Sequence, residues 1–213
     1  NTGWFIVSLI LIAVFLFLSI GDNTISVQAF RKLSLSEQIG HVRNVARTED
    51  AEDISVFLKK AFPEETPSVH DLAHELGEIA IRQYGIKGFA LCDSFLGYGC
   101  FHGAAFAAVR IHGDESDLSA KLWSACKETA ANSGVCLHGL GHAIMLVKQY
   151  RLLDAYKECE NTVGKEDAFW CQDGASMENT VRSMANAGME PYDKKDDLYY
   201  PCNTLPVQYE TVC

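Results

Sequence analysis

Cysteine pairs recur along this chain at nearly fixed intervals, and that recurrence restricts the fold more than any other feature of the sequence. Cys92, Cys126 and Cys159 are 34 and 33 residues apart, while Cys100, Cys136 and Cys171 are 36 and 35 apart. A period near 35 residues is the length of one αα-hairpin in a helical-repeat protein. In such a hairpin the upstream cysteine falls near the end of one helix and the downstream cysteine at the start of the next. The spacing therefore predicts Cys92–Cys100, Cys126–Cys136 and Cys159–Cys171 disulfides across the turns. Cys202 and Cys213 repeat the spacing, either as a terminal clasp or as the opening of a truncated further repeat. Cysteine-bound zinc lacks its signature here, since no Cys-x-x-Cys occurs.

The downstream cysteines open a repeated phrase. Cys100-Phe101-His102-Gly103 returns as Cys136-Leu137-His138-Gly139 and as Cys171-Gln172-Asp173-Gly174, and Ser68-Val69-His70-Asp71 is a relative without cysteine. The third position thus reads His, His, His, Asp, a row of metal-ligand side chains at equivalent places in a repeat. His70 and His74, like His138 and His142, are four residues apart, so each pair shares one helical face. His102 lies on the intervening repeat.

The chain reads as all-α, with no clean period-two run and no short-turn hairpin signal. Residues 1–22 are predicted to form a transmembrane anchor helix, because Trp4 to Ile20 is apolar apart from Ser8 and Ser19, close to the lower length limit for a bilayer span. A secretory signal peptide ending near Val27-Gln28-Ala29 and a pilin-like helix buried in a filament core are the competing readings. Residues 23–65 read as a linker and two short amphipathic helices, one capped by Ser34 or Ser36 and one over Ala51–Phe62 ended by Pro63. The repeat domain spans 66–190. Thr66-Pro67 signals a helix start, Gly85 its close, helices open near Cys100, Cys136 and Cys171, and others run over Asp117–Ala131 and Leu152–Val163. Residues 191–213 form an aromatic tail or the start of another repeat. Tyr192, Tyr199, Tyr200 and Tyr209 there suit a cover for an open solenoid end or a subunit contact. The fold expected is an N-terminal membrane helix followed by disulfide-stapled αα-hairpins, arranged as a solenoid or a closed helical bundle.

An αα-hairpin of this length, stapled between cysteines about eight residues apart, resembles the cysteine-rich Sel-like repeat proteins, relatives of the tetratricopeptide repeats. Ala73-His74-Glu75-Leu76-Gly77 with Tyr84-Gly85 is similar to their Ala-x-x-Leu-Gly…Tyr-x-x-Gly grammar, over a stretch from Thr66 to Cys171. The resemblance implies architecture only, because the histidines and the Cys-x-His-Gly phrase are not part of the family pattern.

Charge narrows the partners. The formal net charge is −10 and basic clusters are absent, which argues against nucleic acid and against docking on anionic lipid. Eight cysteines beyond an apolar N-terminal segment point to a membrane-anchored domain on the extracytoplasmic side, periplasmic, pseudoperiplasmic or extracellular, where disulfides persist. Other protein subunits are the expected partners. Two His-x-x-x-His helices with His102 between them suit a transition metal ion, zinc, copper, or iron if carboxylates join. The predicted ligands are His70, His74, His102, His138, His142 and Asp173, and the proton-handling candidates are Glu75, Glu78 and Glu178. His70-Asp71-Leu72-Ala73-His74 invites comparison with the His-Glu-x-x-His of zinc proteases, but its acid is one methylene shorter and no third-ligand motif follows. No Gly-x-Ser-x-Gly elbow, free thiol or phosphate loop is found. Three functions stay open: a metal-handling subunit of a membrane complex, a metal-dependent hydrolase or oxidoreductase, and a scaffold whose histidines bond the turns. His41 and His112 read as structural.

Overall fold

The structure is a computed structural model that describes residues 25–63, 69–95, 98–113, 115–128, 133–185, 197 and 199–213. The predicted membrane helix and the Thr66-Pro67 helix start lie outside the described residues. Among the described residues no helix is long and apolar enough to cross a membrane, and all regular structure is helical. The α-helices are α1 (Val27–Phe30), α2 (Leu35–Val45), α3 (Ala51–Ala61), α4 (His70–Tyr84), α5 (Gly99–His112), α6 (Leu118–Lys127), α7 (Ser133–Val147), α8 (Leu152–Val163) and α9 (Ala168–Ala185).

Local chemistry sets several boundaries. Ser34 caps α2 through a reciprocal box with Glu37: the Glu37 N–H donates to the Ser34 hydroxyl, and the Ser34 N–H donates to the Glu37 carboxylate. Gln83, on α4, ties α3 down by accepting from the Ala51 N–H at 2.8 Å and donating to the carbonyls of Ala46 and Glu49. Gly85 ends α4 at φ 61°, a conformation that side chains disfavour. The chain then makes a seven-residue 3₁₀ helix, Gly85–Leu91, where a full outer helix would stand in a regular hairpin. It lies so close to α4 that a methyl group at Gly88 would sit 2.2 Å from the carbonyl oxygen of Ala80.

The elements stack in two rows. The inner row is α4, α5, α7 and α9, each packed on the next, and the outer row is the 3₁₀ helix, α6 and α8, likewise packed in order. The 3₁₀ helix packs on α4 and α5, α6 on α7, and α8 on α7 and α9. Such neighbour-to-neighbour packing is the layering of a helical solenoid, and α2 and α3, which precede the two rows in the chain, pack on α4. Each staple joins the outer row to the inner one: Cys92–Cys100, Cys126–Cys136 and Cys159–Cys171, with Cα–Cα distances of 5.3, 5.7 and 5.8 Å. Closing loops of this size stabilises by roughly 3 kcal/mol each in the chain-entropy picture. The fourth disulfide, Cys202–Cys213, clasps the C-terminal segment. That segment lies against the last hairpin, with Tyr209 buried on the Tyr156 ring of α8 and the Ser176 hydroxyl of α9 donating to the Val212 carbonyl.

Two of the inner contacts are built alike. Where α4 crosses α5, a methyl group at Gly77 would lie 1.9 Å from the Cys100 carbonyl oxygen, and one at Gly103 would lie 1.9 Å from that of His74. Where α7 crosses α9, Gly141 meets the Cys171 oxygen and Gly174 the His138 oxygen, again at 1.9 Å. Backbones meet backbones at both crossings, and only glycine allows it. Between the two crossed pairs, Gly139 of α7 accepts the Phe101 ring of α5. The crossings place His74 opposite His102 and, in the equivalent position, His138 opposite Asp173.

Candidate metal centre

The inner helices carry five of their six histidines to one place. His142 of α7 is fully buried, and its Nε2 lies 2.9 Å from Nε2 of His102 on α5 and 3.1 Å from Nε2 of His138 one turn away. The nitrogens of His102, His138 and His142 lie within 4.8 Å of one another, and all three residues are buried. A second trio, His70, His74 and His102, meets the same criterion and is partly exposed through α4. His102 belongs to both: its Nδ1 faces His74 Nε2 at 3.3 Å while its Nε2 faces His142.

Two carboxylates of α9 hold the far side of the buried trio. The Glu178 Oε2 lies 2.9 Å from Nδ1 of His142 and the Asp173 Oδ2 lies 2.8 Å from Nδ1 of His138. With both rings neutral, each carboxylate accepts a hydrogen bond from Nδ1–H, which leaves the Nε2 of both histidines as a bare lone pair. At most one proton, that of His102, can then sit among three converging Nε2 atoms. Whichever way His102 carries it, at least one pair of lone pairs faces another across about 3 Å, a repulsive contact in a buried setting. A cation at the meeting point turns those repulsions into bonds. Imidazole nitrogens backed by carboxylates are the usual donor set for such an ion.

Protons are poor substitutes for that cation. Burial, reinforced by the neighbouring imidazoles, pushes His102 down to about 2 and holds His142 well below the ordinary range; burial likewise brings His74 down to about 4. The sign of the pH dependence follows. These histidines stay neutral when folded and take up protons near pH 6.5 when unfolded, so their contribution to stability is complete above about pH 6.5 and is lost as pH falls below it. Each such group adds up to about 1.4 kcal/mol per pH unit to the slope. Chelator-treated protein is therefore expected to show a melting temperature that is level above pH 7 and falls between pH 6.5 and 5, above the carboxylate range. A melting temperature unchanged down to pH 5 would show that the folded cluster accepts protons freely.

The other sequence candidates lie elsewhere. Glu75 holds Arg43 in a two-pronged ion pair, and Glu78 is held by Arg82 and Arg110. Asp173 is placed on the outer nitrogen of His138 rather than among the converging ones. His41 packs near Phe30, and His112 pairs with Glu115 at 2.7 Å. Two tyrosines complete the surroundings, and sequence reasoning did not single them out for the site. The Tyr98 ring lies 4.9 Å from His138, and the Tyr150 hydroxyl reaches Glu178 at 3.4 Å. Both have left-handed backbones, φ 64° and 63°. Non-glycine residues are held in that region only where the surroundings compel it, often beside functional sites. No periodic signal marks them.

In comparisons with models of known families, with curated proteins and with solved structures, the chain matches none. Its likeness to cysteine-rich helical repeats rests on the helices and the four disulfides alone.

Proposed function

We propose that this protein binds a transition metal ion through His102, His138 and His142 and serves as a metal-handling, disulfide-stabilised domain in an oxidising, extracytoplasmic compartment. The observation that supports this most directly is the meeting of three buried Nε2 atoms, two of them made lone pairs by Glu178 and Asp173. Four disulfides and no free cysteine among the described residues fit the compartment. Anchoring through residues 1–22 and attachment to a membrane complex belong to the same proposal and rest on the sequence alone.

An enzyme is the second reading, and one observation favours it. The buried group numbers three ligands among the described residues, the count of catalytic sites that keep a fourth position for water or substrate. In that case Glu178, joined to His142 and reached by Tyr150, orients a ligand rather than meeting substrate.

Elemental analysis of the purified protein, followed by titration of chelator-treated protein with zinc, copper and iron salts against a competing chelator, tests the proposal. At least one ion per chain, bound more tightly than micromolar, is expected. A folded protein that takes up none of the three ions would overturn it.

A further inference from the structure

We propose that His102 is a bridging ligand, and that the cluster holds two transition metal ions, one among His102 Nε2, His138 and His142 and a second among His102 Nδ1, His70 and His74. This deepens the metal-binding reading above and rests on it. An imidazole has two nitrogens on opposite sides of the ring, and in this fold each faces its own pair of histidines. Nε2 lies 2.9 Å from His142, which in turn lies 3.1 Å from His138. Nδ1 lies 3.3 Å from His74, whose ring is 4.7 Å from that of His70, while the His70 ring is 5.1 Å from that of His102.

The pairs come from different parts of the fold. His70 and His74 share a face of α4, His138 and His142 share a face of α7, and α5 runs between them with His102 buried on it. An i,i+4 pair offers two converging ligands, and a third from a facing helix completes the number that a metal site with an open position needs. A merely structural His102 would need one partner for its single N–H. Here four imidazoles surround it and the acidic partners are spent on the outer nitrogens of His138 and His142.

The chemistry balances simply. When the first ion binds, His102 coordinates through Nε2 and keeps its proton on Nδ1, where it donates to His74. When the second ion binds, that N–H bond breaks, the proton leaves to solvent, and the freed electron pair on Nδ1 forms the bond to the metal. No oxidant or reductant takes part. The two positions differ in exposure: the buried trio is expected to fill first and hold its ion longer, and the trio that includes half-buried His70 and His74 to exchange faster.

The test is titration of chelator-treated protein with Cu(II), followed by native mass spectrometry, an indicator dye for released protons and electron paramagnetic resonance. Two ions per chain are expected, with a proton released at the second step and loss of resonance intensity as two copper ions couple through the shared ring. His70→Ala/His74→Ala should stop at one ion and keep the signal of isolated copper. His70→Gln/His74→Gln gives the same reading with the side-chain volume retained, and circular dichroism verifies that both variants fold. A stoichiometry of one in the parent that the His70/His74 variants leave unchanged overturns the bridge while leaving the metal-binding reading intact. Two ions with undiminished resonance overturn the bridge as well. Binding of no ion defeats both proposals together.

Discussion

His142→Ala is expected to lower affinity at the buried site by more than the roughly 10- to 100-fold typical of losing an outer partner of a ligand, leaving that site empty at micromolar concentrations. His142 has the central position: its Nε2 is within 3.1 Å of both other converging nitrogens. Its removal leaves two ligands from different helices, too few to hold an ion against water. Stability should fall too. His142 is fully buried, and without it the carboxylate of Glu178, itself buried, loses the Nδ1–H donor 2.9 Å away while a cavity opens beside it. Such losses cost about 2–4 kcal/mol. Isothermal titration with a thermal melt separates the two effects. His112→Ala is the control, since His112 pairs with Glu115 at the surface away from the cluster. It should leave metal uptake unchanged and shift stability by at most about 0.5 kcal/mol. Retention of the ion by His142→Ala at parental affinity would mean that the ion sits elsewhere.

The two variants differ in a way that the sequence only partly announces. That His138 and His142 share a face, and that His70 and His74 do, is legible because i,i+4 spacing follows from helix geometry alone. The hairpin layering is equally legible, since cysteines that recur with the repeat can be joined only if outer and inner helices alternate. The level at which one helix meets another is a different matter. Asp173 occupies the place of a histidine in the repeated phrase, which makes it look like a ligand of the same kind. Its actual neighbour is the outer nitrogen of His138, because α9 crosses α7 at Gly174 and Gly141 and so sets Asp173 beside His138. Glu178 lies five residues further along the same helix and backs His142. The glycine of the phrase allows a close approach, but the partner it meets is not encoded locally; it depends on carbonyls of residues some 30 positions away. The roles of Tyr98 and Tyr150 are hidden for a similar reason, since a left-handed backbone at a tyrosine has no compositional signature. The outer element Gly85–Leu91 carries no helix signal of its own in the sequence, and two glycines with a tight approach to α4 build it of 3₁₀ turns.

If glycine at the crossings sets the register of the site, then the smallest possible side chain there should damage fold and metal binding together. Gly174→Ala is expected to lower stability by about 3 kcal/mol, or roughly 6–12 °C in melting temperature for a chain of this size. The added methyl group would lie 1.9 Å from the His138 carbonyl oxygen, with the His138 carbonyl carbon at 2.8 Å. Carbon and oxygen normally approach no closer than about 3.3 Å, so α9 must move from α7 by an ångström or more. No rotamer change can absorb this, because both contacting groups are helix backbone. The movement draws Asp173 and Glu178 away from the outer nitrogens of His138 and His142, so metal affinity should fall with stability, by about tenfold or more. Intrinsic helix propensity pulls the other way, favouring alanine over glycine by up to about 1 kcal/mol, which makes the sign diagnostic. Gly40→Ala, in the interior of α2 with nothing within 4 Å of the added methyl, should show that gain undiluted and leave metal uptake unchanged. One substitution therefore has opposite effects at two helical glycines, and thermal melts with metal titrations of both variants measure the difference. Equal and favourable shifts at Gly40 and Gly174 would mean that α7 and α9 do not cross in backbone contact, and the positions given to Asp173 and Glu178 would fall with that crossing.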